Sequence, residues 1–407
     1  MISRRGLLTA SAAALATPAV LTSLPRTATA SGTTPATLPV DLVNTTGSDT
    51  VYAYVSGQDP DNGNAWMFLQ ADGRTPYYPP SPTAPGAPLG ADCAIPLAAS
   101  GGGHTTITLP HLAGGRIWFS VGDKLVFLVN PGPGIVMPSA ANPSDPNAAT
   151  QWGFCELTYD DSQLYGNITF VDFVSLPIAL QLATGSGQQT VGGLPAGGLD
   201  TVCSALRAQA ASDGSDWARL IVTGSDGRNL RALSPNTAAT GDQSLFSGYL
   251  DAYIDQVWQK YQSTDLTVDT QAGWGTVTGR VGNGLLTFPS VGSFAKPSTY
   301  AVFNCSTAPF TTGNDEMGNL SARLAAALNR TTLLDDADQP DGENPASYYA
   351  QPRTNHYARI VHATTADGLG YAFPYDDVHP ANGDVEGKVQ AAHPTRLTVT
   401  VGAPTSG

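Results

Sequence analysis

The sequence predicts a mainly β protein with an α/β domain inserted in its middle. Three observations lead there. Both ends of the 407-residue chain alternate apolar and polar residues with the period of two that a half-buried strand needs. The stretch from about 195 to 350 carries apolar residues at helical spacing instead. The 44 glycines and 31 prolines supply many turns, which favours short strands over a helix bundle.

Taken in order, the first segment stands outside the fold. Residues 1–30 open on Ser3-Arg4-Arg5-Gly6-Leu7-Leu8, a twin-arginine pattern ahead of an Ala/Leu stretch, and close on Ala28-Thr29-Ala30, a small-x-small cleavage site. Pro18, Pro25 and Arg26 interrupt the apolar run well short of the roughly 20 residues that cross a bilayer. The segment reads as an export signal, so the mature protein is expected to be secreted and extracellular. A Ser/Thr/Pro/Ala linker follows at 31–37, and PVDLVNTTGSDTVYAYVSG then alternates as two strands around a turn. The proline-rich 75–90 reads as a loop. HTTITLP, GGRIWFSVGDKLVFLVN, GFCELTYD and NITFVDFVSL continue the β pattern to about 185.

The texture changes at the glycine-rich 185–198. LDTVCSALRAQAA (199–211), GDQSLFSGYLDAYIDQVWQKYQ (241–262) and NDEMGNLSARLAAALNR (314–330) read as helices, the last opened by Asn314-Asp315-Glu316. LTVDTQAGWGTVTGRV and TYAVFNCS between them are strand-like. From 355 onward, HYARIVHATTADGLGYAFPYDDV and TRLTVTVG are expected to return to β. The domains are therefore 38–190 together with 355–407, forming one β unit, and an α/β unit at 195–350. A groove between two such units is the default ligand site.

Charge narrows the function. Lys and Arg number 19 against 33 Asp and Glu, a formal −14. An acidic chain lacks the positive footprint that nucleic acid or an anionic membrane requires. Apolar residues at 41% with charged residues at 13% suit a chain that buries a core. Four cysteines allow three pairings, of which Cys93–Cys155 and Cys203–Cys305, each within one unit, are the expected ones. No Cys/His spacing indicates zinc.

The chemistry concentrates in WGFCELTYDDSQLYGNITFVDFVSLPIAL (152–180). As a hairpin centred on Leu164, it sets Glu156 directly opposite Asp172 on one face. Two opposed acids repel, and on an open sheet face they would be no more than solvated carboxylates. Among Phe154, Phe170 and Phe173, however, unequal surroundings push two carboxyl pKa values apart, leaving one protonated and one ionised. Those are the two states that glycosidic-bond hydrolysis uses. Other chemistries lack their motifs: there is no G-x-S-x-G, P-loop or H-E-x-x-H. His356 and His362 have no third metal ligand in view, and in 335–344 Pro340 and Asp341 sit where a calcium loop needs a ligand and glycine, so structural histidines and a solvated acidic turn are the better readings. Flat surfaces for a sugar are available at Trp66, Tyr77, Tyr78, Trp152, Tyr165, Trp274, Tyr348 and Tyr349.

Three segments together resemble the thaumatin-like fold. GGRIWFS (114–120) is similar to its G-R-x-W segment, CELTY…NITFVDFVSLPIAL (155–180) to its A-E-F-T-L…V-D-G-F-N run, and YAFPYDDV (371–378) to its Y-S-Y-x-x-D-D. A thaumatin-like barrel or sandwich with an added α/β domain resembles glycoside hydrolase family 64, the laminaripentaose-producing β-1,3-glucanases, and Glu156 and Asp172 match that family's catalytic pair in type and spacing. The resemblance implies Glu156 as general acid and Asp172 as general base, with inversion. It implies Arg116, Asp376 and Asp377 as the remaining charged residues of the cleft, with Asn167 where thaumatin-like proteins usually have another Asp. Thr158, Asp160, Tyr165 and Thr169 are the further sugar-contact candidates. The expected partner is β-1,3-glucan, with no cofactor, metal, nucleic acid or membrane, and the expected state is a monomer. A thaumatin-like protein that holds glucan without cleaving it is the alternative.

Overall fold

The computed structural model describes residues 34–289 and 291–404. Residues 1–30, read from the sequence as an export signal, fall outside them. The strands that position the site are, in chain order, Thr37–Thr45 (β1), Val51–Asp59 (β2), Ala65–Leu69 (β3), His104–Pro110 (β4) and Leu112–Val121 (β5). Gln151–Tyr159 (β6), Leu164–Asn167 (β7), Phe173–Val174 (β8), Ile178–Thr184 (β9) and Gly187–Val191 (β10) follow. Asn229–Leu233 (β11), Lys388–Ala391 (β12) and Pro394–Gly402 (β13) complete the set.

Two sheets dominate. One has five strands in the order β10-β9-β13-β1-β4. Its centre joins the two ends of the chain, because β13 pairs with β1 in parallel, Val40 opposite Leu397 and Leu42 opposite Val399. The other has eight strands, with β12-β7-β6-β5-β2-β3 as its main run. The alternation read from the sequence is the alternation of burial here. Ile117, Phe119, Cys155 and Leu157 point to one side and join Val40, Leu42, Leu397 and Val399 in one apolar cluster. Smaller sheets lie elsewhere, one of them made by β8 pairing with β11, Phe173 opposite Leu233.

Gly198–Asp213 (α1), Asp251–Lys260 (α2), Glu316–Arg330 (α3) and His356–Thr364 (α4) are the longer helices. α3 starts where its cap predicts: the Asp315 carboxylate accepts from the Gly318 N–H. α2 begins ten residues later than the apolar spacing from Gly241 suggests, because turns occupy 241–250. α4 is the main correction. HYARIVH is a helix, not a strand: the Asn355 side chain accepts from the Ala358 N–H, and Tyr357, Ile360 and Val361 share its buried face. No described helix is long and apolar enough to cross a membrane. The cysteines are a second correction. All four are free thiols, each buried apart in the apolar interior.

Candidate active site

The second face of the eight-stranded sheet carries the chemistry. Cross-strand neighbours run Ser56, Arg116, Glu156, Asn167 and Lys388, one residue from each of β2, β5, β6, β7 and β12. One end of this face is closed by aromatic packing: Trp118 lies 4.7 Å from Phe154, and Trp152 lies 4.7 Å from Phe173. The half that begins at Arg116 and Glu156 is open.

This register corrects the hairpin expected from the sequence. Glu156 faces Asn167, not Asp172. Asp160 is the reason: its Oδ1 accepts from the N–H groups of Ser162 and Gln163, so the turn closes earlier than a hairpin centred on Leu164 would. β7 then ends at Asn167, and Asp172 reaches the site from a bend. Distant residues hold that bend at both ends. Phe170 donates its N–H to the Tyr371 carbonyl and accepts from the Tyr357 hydroxyl, while the Asp172 carbonyl accepts from the Ser234 N–H at 3.0 Å.

The two carboxylates meet through Arg116. Its Nε and Nη2 donate to Glu156 Oε1 at 3.1 and 2.9 Å, and the same Nη2 lies 3.9 Å from Asp172 Oδ2. Those two oxygens are therefore separated by no more than the sum of the two lengths. Glu156 Oε2 has no protein partner among the described residues. The guanidinium is braced from behind, 4.2 Å from the Phe154 ring centre and 5.3 Å from that of Trp118. A glycine pair supports this aim. β5 carries one extra residue opposite Ser56–Gln58, and Gly114 takes it up at φ +54. Any Cβ on Gly115 would meet Leu112 at 2.5 Å.

Exposure differs along the triad. The Glu156 side chain is 32% exposed, that of Asp172 is 42% exposed and that of Arg116 only 18%. Water reaches both acids, but the protein surrounds Glu156. Burial raises the Glu156 pKa and the Asp172 charge adds to that, while Arg116 opposes both; the net direction is upward. Glu156 therefore stays protonated to higher pH than an ordinary glutamate.

The other expected contacts divide. Thr158 and Tyr165 face each other across β6 and β7, next to Glu156, and both are partly open. The Tyr165 hydroxyl reaches Glu386 at 3.3 Å. Asn167 is 7% exposed, and its Oδ1 has no partner. Thr169 lines a small pocket with Phe154, Phe170 and Phe173. Asp160 is occupied by its turn. Asp377 accepts from the Tyr371 hydroxyl at 2.9 Å and keeps partial exposure. Asp376 is a correction: its side chain is fully buried, with one oxygen on Arg330 at 2.8 Å and the other on His362 at 2.9 Å. Burial would raise its pKa, but His362 and Arg330 outweigh that and hold it below the usual range. It braces the loop and reaches no ligand. Of the aromatic candidates, Trp152 and Tyr349 are core residues.

Sequence reasoning missed Glu386 and Lys388. The Lys388 ammonium is ion-paired to Glu386 and, at 3.3 Å, to Asp384. Their signal was a polar period of two through Glu386, Lys388 and Gln390. His379, Asp384 and Glu386 have ligand atoms within 4.8 Å of one another, the spacing of a cation site. Lys388 already supplies the positive charge there.

Comparison with known proteins bears on this geometry. A family profile described as β-1,3-glucanase, glycoside hydrolase 64, matches residues 36–401. A glucan endo-1,3-β-glucosidase of Cellulosimicrobium cellulans is 32% identical over 401 residues, covering 96% of this chain and 70% of that protein. Among solved structures, a laminaripentaose-producing β-1,3-glucanase in complex with laminaritetraose superposes with a TM-score of 0.79 at 38% identity, over 90% of this chain and 98% of that one. A β-1,3-glucanase domain from Clostridium beijerinckii shares the fold at a TM-score of 0.69 and 23% identity, over 92% of this chain and all of that one.

Proposed function

The chain belongs to the β-1,3-glucanases of glycoside hydrolase family 64, and from that premise we propose that it hydrolyses laminarin- or curdlan-type β-1,3-glucan to oligosaccharides, laminaripentaose among them, with inversion at the anomeric carbon. The observation that carries the reading is the single guanidinium shared by Glu156 and Asp172 on the open half of the sheet face. Glu156 is the general acid. Arg116 occupies Oε1, so the proton sits on Oε2 and passes to the glycosidic oxygen as the bond to the anomeric carbon breaks. Asp172, the more exposed of the pair, takes a proton from the water whose oxygen bonds that carbon. Asp172 then gives up its proton to solvent and solvent reprotonates Glu156, which restores both groups.

The oxygens nearest Arg116 can be no farther apart than the sum of their distances to its Nη2, a bound at the short end of the about 6.5–9.5 Å range of inverting pairs that also admits the about 5–5.5 Å of retaining ones. Inversion is thus argued from family likeness. Arg116, Thr158, Tyr165, Asn167, Thr169 and Asp377 are the proposed glucan contacts. A thaumatin-like β unit with an α/β insertion at 195–350 is the proposed architecture, supported by the pairing of first and last strands. Secretion through the twin-arginine signal, a monomeric state, and no nucleic-acid or membrane partner complete the proposal.

Following anomeric configuration by NMR during β-1,3-glucan hydrolysis tests linkage, activity and stereochemistry together. Glu156→Gln should lower turnover about 10²–10⁴-fold while glucan binding persists. Turnover within a few-fold of wild type would remove Glu156 from the role of acid.

A further inference from the structure

The strand register extends the site beyond the residues so far assigned to it. β3 pairs with β2 so that Phe68 faces Ser56 and Trp66 faces Gln58. Side-chain contacts fix which face this is. The Trp118 indole N–H donates to Ser56 Oγ at 2.8 Å, and Trp118 and Phe68 both pack edge-on against Phe127, at 5.5 and 5.2 Å. Trp118 is two residues from Arg116 on β5; the extra residue at this point lies on β5, and β2 pairs without interruption with β3 from Ser56 to Gln58. Gln58 and Trp66 therefore stand on the face that carries Arg116 and Glu156.

Trp66 is three strands from Glu156 and two residues along them, about 16 Å at the usual spacings of roughly 4.8 Å across and roughly 3.3 Å along. Between them lie Gln58 and Gly114, both exposed. A Cβ on Gly114 would find nothing within 4 Å, so the surface at that point is unobstructed. Trp66 itself is half-buried, so part of it faces solvent, and Phe68 two residues on is packed into the interior. On the far side of Glu156, one strand away, stands Tyr165. The two aromatic rings thus stand in one row across the strands, through Thr158, with the acid two residues from that row on the same face.

We propose that Trp66 is a remote stacking platform for a sugar ring, and that the glucan lies across the strands from Trp66 past Glu156 towards Tyr165. The inference rests on the hydrolase reading above and adds direction and a length-setting residue to it. A rigid flat ring with an apolar face binds the apolar face of a pyranose with little loss of side-chain freedom. Anchoring a sugar this far from the scissile bond spends remote binding energy on position, and so fixes how many units lie between the chain end or anchor and the cut.

The test uses the full chain. Oligosaccharide affinity is measured by calorimetry on the Glu156→Gln background, and product length is measured by chromatography on laminarin with the acid restored. Trp66→Leu should weaken binding of laminariheptaose about tenfold and broaden the product distribution, and Trp66→Phe should recover most of both. Equal heptaose affinity and an unchanged product pattern in Trp66→Leu overturn the inference while leaving the hydrolase reading intact. Failure of the wild-type protein to cleave any β-1,3-glucan sinks that reading, and this one with it. Should Trp66→Leu not fold, fluorine NMR of fluorotryptophan-labelled protein decides: the Trp66 resonance must move on titration with laminariheptaose but not with maltoheptaose, and a stationary resonance overturns the proposal.

Discussion

Arg116 reaches both acids from one position, and it is the cation that opposes the upward shift of Glu156. Its charge lowers the Glu156 pKa against burial and against Asp172. Replacing it with methionine keeps an unbranched apolar side chain beside Phe154 but removes the charge. The alkaline limb of the turnover profile should then move to higher pH, since the acid keeps its proton longer, while turnover falls because Oε1 is no longer fixed. Fold stability should drop by about 1 kcal/mol, the upper end for a partly exposed pair, as two carboxylates lose their shared counter-charge. A pH profile that stays in place would separate Arg116 from the acid's titration. Glu156 itself strains the fold: a carboxyl with a raised pKa favours folding below its ordinary range and loses that contribution as pH rises through the higher value. Above that range, Glu156→Gln should melt at higher temperature than wild type even as it loses turnover.

At the scale of elements, β12 and the loop before it act as the outer wall of the site. Glu386 is buried there with its carboxyl raised to about 7 by burial, with Lys388 opposing and Asp377 and Asp384 adding to the rise. The sign follows as for Glu156: the favourable contribution is complete below the ordinary glutamate range and disappears as pH rises through about 7. Melting temperature should therefore fall between about pH 5 and about pH 8, and that slope should flatten in Glu386→Gln. An equal slope in both proteins would place the titrating group elsewhere. How much of each element was legible depends on how local its cause is. α3 was legible because its cap and its apolar spacing lie within its own residues. α4 was not: His356, Ala358, Ile360 and His362 satisfy a period of two as well as Tyr357, Ile360 and Val361 satisfy a helix, and only packing chooses between them. Glu156 and Asp172 were legible as a pair, yet not their route to each other, because the bend at Asp172 is held by Ser234, Tyr357 and Tyr371 from far along the chain. Asp376 looked like its neighbour Asp377 in sequence, and only Arg330 and His362 separate their fates.

Across the whole molecule, stability comes from burial without covalent staples. The four thiols lie apart inside the apolar cluster, and burial pushes those of Cys93, Cys155 and Cys203 up to about 12. A thiol reductant should leave the melting temperature unchanged, and four thiols should titrate only after denaturation. A reductant-induced fall of several degrees would contradict the free-thiol assignment. The five-stranded sheet has a further consequence. Its middle position is filled by β13, which is flanked by β9 on one side and by β1 on the other. During synthesis, β1 and β9 leave the ribosome long before the strand that bridges them, and Lys388, the last member of the row through Glu156, also comes late. The strand that joins β1 to β9 is thus a keystone made after the strands it holds, and removing Pro394–Gly402 should leave an open sheet and no turnover.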